Sequence, residues 1–98
     1  MHIVISWDIS AEGNRWNTIN DEMKKCLSGY SWVRPLKTFY VVKVNSSNHR
    51  EQLITALQNV AKSNSEKIHF VASPAMTGGS YNGWLPKDLW DKIGERTK

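Results

Sequence analysis

Residues 30–44, YSWVRPLKTFYVVKV, decide the fold. The run is rich in β-branched and aromatic residues, which suit a pleated, half-buried surface. Pro35 interrupts it, because proline has no N–H to give to a strand ladder. The stretch therefore predicts a hairpin: a short strand near Ser31–Arg34, a turn or bulge at Pro35-Leu36, and a firmer strand over Lys37–Val44. In the second strand Thr38, Tyr40, Val42 and Val44 alternate with Lys37, Phe39, Val41 and Lys43. One face belongs to a core, and the other is mixed.

Working outward, a helix is expected on each side of this hairpin, and a strand beyond each helix. Upstream, Ile3, Ile5, Trp7 and Ile9 alternate with Val4, Ser6 and Asp8, predicting a strand over residues 3–9. A polar loop, residues 10–14, leads to a helix with Trp16, Ile19, Met23, Cys26 and Leu27 at spacings of three and four. Thr18 with Asp21 fits a capping box for a late start, and Ser28-Gly29 ends the helix. Downstream, Asn48 with Glu51 fits a second capping box. The helix that follows carries Leu53, Ile54, Leu57, Val60 and Ala61 on one stripe. Lys67 to Ala72 alternates Ile68, Phe70 and Ala72 with His69 and Val71, predicting a last strand. A loop rich in Gly and Ser comes next, then Pro86 and a short helix with Leu89, Trp90 and Ile93. Trp84 and Leu85 make this tail too apolar to be free, so it is expected to dock on the domain or on a partner chain.

The order β-α-β-β-α-β predicts an α+β fold of ferredoxin-like type: an antiparallel sheet with two helices on one face and a short C-terminal helical extension. Residues 1–98 form a single domain, with 1–72 as its core and 73–98 as loop and C-terminal helix. The helix-free face is then expected to carry His2, Val4, Ser6, Asp8, Lys37, Phe39, Val41, Lys43, His69 and Val71. An open face that is half apolar implies a partner. Only Phe39 is suited to stack on a base there, and the K/R-G-F/Y-G/A-F-V-x-F/Y pattern of RNA-recognition motifs is absent. Self-association through this face is the expectation.

Charge and composition narrow the classes of function. The net charge is +4, and between Met23 and Arg50 there is no acidic residue, while Lys24, Lys25, Arg34, Lys37, Lys43 and Arg50 all fall there. Such an excess favours phosphate-bearing partners. The single cysteine, Cys26, excludes an intrachain disulfide and lies on the first helix's apolar stripe. The opening MHIVISWDIS has neither the length nor the basic start of a signal peptide, and no apolar run approaches a bilayer's width. A cytoplasmic protein is expected.

The strand end SWDIS (residues 6–10), a first helix opening with Arg15, and the hairpin Trp32-Val33-Arg34-Pro35-Leu36-Lys37-Thr38 resemble the CRISPR-associated protein two family. The virulence-associated protein D toxins share that superfamily. Together with Phe70-Val71-Ala72, Trp84-Leu85 and Trp90, the chain is most similar to the small bacterial proteins labelled SinR-like. The resemblance implies a ferredoxin-like homodimer that binds nucleic acid or another macromolecule, with Arg15, Arg34, Lys37 and Lys43 as the cations for nucleic acid. It also implies an alternative, an endonuclease for DNA or RNA. There the aspartate ending the first strand, here Asp8, binds Mg²⁺ or Mn²⁺ shared across the dimer axis and serves catalysis. Two departures stand out: Arg15 is followed by Trp16 rather than a second basic residue, and Thr38-Phe39-Tyr40 replaces a Ser-Val-Phe segment.

Other candidates have plainer readings. Asp8 on its own suits a loop cap as well as acid–base or metal chemistry. His2, His49 and His69 show no metal-ligand spacing, though His2 and His69 are expected on the same face. Thr77-Gly78-Gly79-Ser80 lacks the lysine and spacing of a phosphate-cradling loop.

Overall fold

In the computed structural model, which describes residues 1–37, 39–73 and 83–97, each predicted element is present. The order is β1 (His2–Ser10), α1 (Asn14–Lys25), β2 (Ser31–Leu36), β3 (Phe39–Lys43), α2 (Ser47–Ser63), β4 (Lys67–Ser73) and α3 (Lys87–Arg96). The four strands form one sheet in the order β2-β3-β1-β4, each neighbour antiparallel to the next. The architecture is α+β, a four-stranded antiparallel sheet with three helices.

Strand alternation sorts the side chains as the sequence implies. Ile3, Ile5, Trp7, Ile9, Tyr40, Val42, Val44 and Ile68 are buried on one face, against Ile19 and Met23 of α1 and Leu53 and Leu57 of α2. Trp7 and Tyr40 stack with ring centroids 4.3 Å apart, and Trp32 tilts onto Tyr40 at 5.5 Å. The Trp7 indole N–H donates to Asn20 Oδ1 at 3.0 Å, so the ring is buried without an orphaned donor. Thr38, expected to face this core, lies outside the described residues, as do the Thr77–Ser80 loop and Lys98.

Boundaries differ where local chemistry overrides pattern. The first helix begins at Asn14, behind Gly13 at φ 56°, and not at a Thr18 cap. Thr18 lies within the helix and its hydroxyl donates to the Asn14 carbonyl. The second helix is capped by Ser46, whose Oγ accepts from the His49 N–H at 3.1 Å; Asn48 is already helical. His49 also stacks on Tyr30 at 4.4 Å, and its Nδ1 accepts the Asn45 N–H, which anchors the start of α2 to the β2 side of the fold. The third strand is shorter than expected, and the bulge falls between Val33 and Leu36, around Pro35.

The largest difference lies on the sheet's other face. It is half covered from within the same chain: α3 lies across β2 and β3, where Ile93, Leu85, Leu89 and Trp90 pack with Val33, Val41, Val4 and Phe39. The tail thus docks in cis. Trp84, expected to anchor it, instead stands 98% exposed. Among the described residues no helix is long and apolar enough to cross a membrane.

Candidate functional site

Because α3 lies on β2 and β3 and meets β1 only at Val4, the rest of the β1 and β4 half of this face stays open among the described residues. The register between those strands sets which side chains stand together: Ser6 opposite Val71, Asp8 opposite His69, and Ser10 opposite Lys67. Side chains directly opposite on one face of an antiparallel pair have Cβ atoms about 4.5–5.5 Å apart. Five of these six residues are exposed and Ser6 is partly so, while the alternating Ile68, Phe70 and Ala72 turn towards the helices. Ser6, Asp8, His69 and Val71 also line a shallow open depression. Val71, an apolar residue, is 71% exposed at one end of this strip.

The predicted cations do not form one patch. Arg34 and Lys37 sit at the end of the sheet where β1 finishes, since Leu36 pairs with Phe39 and Phe39 with Ser6. Lys43 pairs with His2, at the opposite end of β1. Arg15 is engaged: its Nε donates to Glu66 Oε2 at 2.7 Å, and its terminal nitrogen reaches Glu66 Oε1 and Asn64 Oδ1, each at 3.0 Å. This bidentate pair ties α1 to the loop before β4 and holds the Glu66 carboxyl down to about 2. The Lys37 ammonium lies 5.6 Å from the Trp16 ring centroid, a cation–π distance that directs it towards α1. Phe39, the residue suited to base stacking, is packed under α3.

His2 and His69, expected together, are far apart. His2 starts β1 and His69 sits across from Asp8, six residues along, about 20 Å at strand rise. Burial and the nearby α-amino group lower the His2 pKa, so His2 is a buried neutral residue rather than a surface ligand.

For Asp8 as a metal ligand, the neighbourhood gives a clear chemical answer within one chain. Its cross-strand neighbour is an imidazole, and the next residue on that face of β4 is Lys67. One carboxylate and one imidazole beside an ammonium do not fit a hard divalent cation, which takes several oxygen ligands. Among the described residues no group of three His, Cys, Asp or Glu could hold a metal ion.

Sequence reasoning placed Asp8, His69 and Val71 on one face but missed Lys67, and it gave no reason to join Asp8 to His69. The available signal was the alternation Lys67, His69, Val71 itself. The pairing of β1 with β4 is a contact between residues about sixty apart, and no local pattern encodes its register. Comparison with known proteins adds nothing to the geometry: the chain matches no family model, no curated protein and no solved structure.

Proposed function

We propose that this chain is a cytoplasmic nucleic-acid-binding domain of ferredoxin-like fold, working as a homodimer, that takes the phosphodiester backbone along its open β1/β4 strip. The carrying observation is the uncovered register Ser10–Lys67, Asp8–His69, Ser6–Val71. Lys67 supplies sequence-independent attraction to phosphate, and the exposed Val71 gives a sugar or base something to lie on. The strand order β2-β3-β1-β4, with α1 and α2 on one face, supports the ferredoxin-like reading. The likeness of SWDIS and the Trp32–Thr38 hairpin to the CRISPR-associated protein two family supports the choice of nucleic acid.

Fluorescence anisotropy with labelled single-stranded RNA and double-stranded DNA tests this. Binding at low salt is expected, weakening as salt rises. Lys67→Gln should flatten the logarithmic salt dependence by about 0.7 on a single strand. No binding at low salt, or an unchanged slope in Lys67→Gln, rejects the reading.

The metal-dependent endonuclease remains the second reading only through assembly. Asp8 is exposed on the strip, so a second copy facing it would bring a second carboxylate. That reading requires cleavage that depends on Mg²⁺ or Mn²⁺ and is lost in Asp8→Ala.

A further inference from the structure

The strip holds more chemistry than binding needs. His69 and Asp8 are Cα partners across the β1/β4 ladder, and both are exposed. Neither side chain has a hydrogen bond or ion pair among the described residues. Lys67 stands on the same face as His69, two residues along β4, opposite Ser10. Val71 stands two residues further on the other side, opposite Ser6. A cation, an imidazole with a carboxylate beside it, and an exposed apolar residue thus follow one another along about 13 Å of strand. Lys67 repels a divalent cation but suits an anionic phosphoryl group, so the order of charges favours phosphate chemistry done by the side chains alone.

From this register we propose that the strip cleaves single-stranded RNA without a metal, with His69 as the catalytic base and acid, Lys67 on the phosphate, and Asp8 as the residue that positions the imidazole. The proposal rests on the nucleic-acid-binding reading and goes beyond it by naming substrate and reaction. RNA follows from the chemistry. A histidine base acts most readily on a nucleophile already held beside the phosphorus, and the ribose 2′-hydroxyl is carried there by the substrate. His69 takes the 2′-hydroxyl proton, and the 2′-oxygen attacks phosphorus. The bond from phosphorus to the 5′-oxygen breaks, and that oxygen leaves with the proton returned from the imidazolium. The products are a 2′,3′-cyclic phosphate and a 5′-hydroxyl end, with no water or metal consumed. Lys67 offsets charge developing on the phosphoryl oxygens. Asp8 fixes the ring by accepting from it. The side chains are apart in the free chain, as such pairs often are before substrate closes them.

The experiment pairs binding with cleavage. Labelled single-stranded RNA, and the same sequence with one 2′-deoxy position, are incubated with the full chain in EDTA. His69→Ala, Asp8→Asn and Lys67→Gln, purified in parallel, are assayed beside it. All three positions are exposed, so the variants are expected to fold, and circular dichroism checks that they do. The expected result is cleavage in EDTA that leaves cyclic phosphate ends and spares the bond after the deoxy position. His69→Ala should lower the rate by about a hundredfold or more while RNA still binds. Asp8→Asn should lower kcat by a smaller factor with KM unchanged, a split a merely structural aspartate would not produce. Binding without cleavage in EDTA overturns the proposal and leaves the binding reading standing. So does cleavage indifferent to His69→Ala, or cleavage that needs Mg²⁺ or Mn²⁺. Loss of all RNA binding in the wild type removes both.

Discussion

At the scale of single residues, two polar groups carry sharp consequences. The Tyr40 hydroxyl is buried and makes no hydrogen bond, although Arg34 lies near enough to oppose the rise that burial causes in its pKa. An unpaired buried hydroxyl is costly, so Tyr40→Phe, which keeps the ring stacked on Trp7 and tilted against Trp32, should leave stability unchanged or raise it by about 1 kcal/mol. Chemical denaturation measures this, and a clear loss would show that the hydroxyl is bonded after all. Glu66 makes the opposite case. Its carboxyl is held at about 2, against a usual 4.5, first by its hydrogen bond to Arg15. The folded state therefore favours the ionised form. The stabilisation is complete above pH 4.5 and is lost as pH falls towards 2. Glu66→Gln should flatten the fall in melting temperature across that window, and an unchanged acid slope would count against the pair.

At the scale of elements, the two ends most open to misreading are the start of α2 and the docking of α3. Sequence pattern points to Asn48, with Glu51, as the cap, although serine favours that position as well. The structure chooses Ser46, because its side chain reaches the His49 N–H while Asn48 has entered the helix. Ser46→Ala should cost about 1 kcal/mol, and Asn48→Ala no more than about 0.5 kcal/mol. Equal losses in urea denaturation would mean the helix starts elsewhere. For α3, Ile93 is 2% exposed and packs on Val33 and Val41. Removing most of its side chain leaves a cavity at that seam, and Ile93→Ala should cost about 2–4 kcal/mol. A loss below about 0.5 kcal/mol would mean that α3 is not seated on the sheet in solution. The apolar tail was legible as a docking segment, but Trp84 was not legible as an exposed residue: the same hydrophobicity describes an anchor and a bystander.

At the scale of the whole molecule, the open surface is smaller than the strand pattern alone implies. α3 removes Phe39, Val41 and Val33 from the mixed face, leaving the β1/β4 strip and the β4 edge. The two edges of the sheet differ. β2 carries Pro35 and the bulge after Val33, features that discourage pairing, whereas β4 is regular over Lys67–Ser73. The proposed homodimer is therefore expected to form on the β4 side. Light scattering at tens of micromolar should give about twice the 11.2 kDa chain mass, and Val71→Lys should shift it towards monomer. A wild-type species of single-chain mass would reject the dimer.

The sequence by itself determined which segments are helices and strands, and which phase of each faces a core. Both follow from local periods of 3.6 and 2 that any residue can be counted against. It also determined that Asp8, His69 and Val71 share a face, since alternation alone assigns them. Tertiary structure decided what covers that face, which of the basic residues remain available, and that His69 and Lys67 line up beside Asp8. Those outcomes depend on strand register and on where a helix returns after a long excursion of chain. They are contacts between distant residues, whose selection is made by the packing of the whole fold and not by any stretch of sequence.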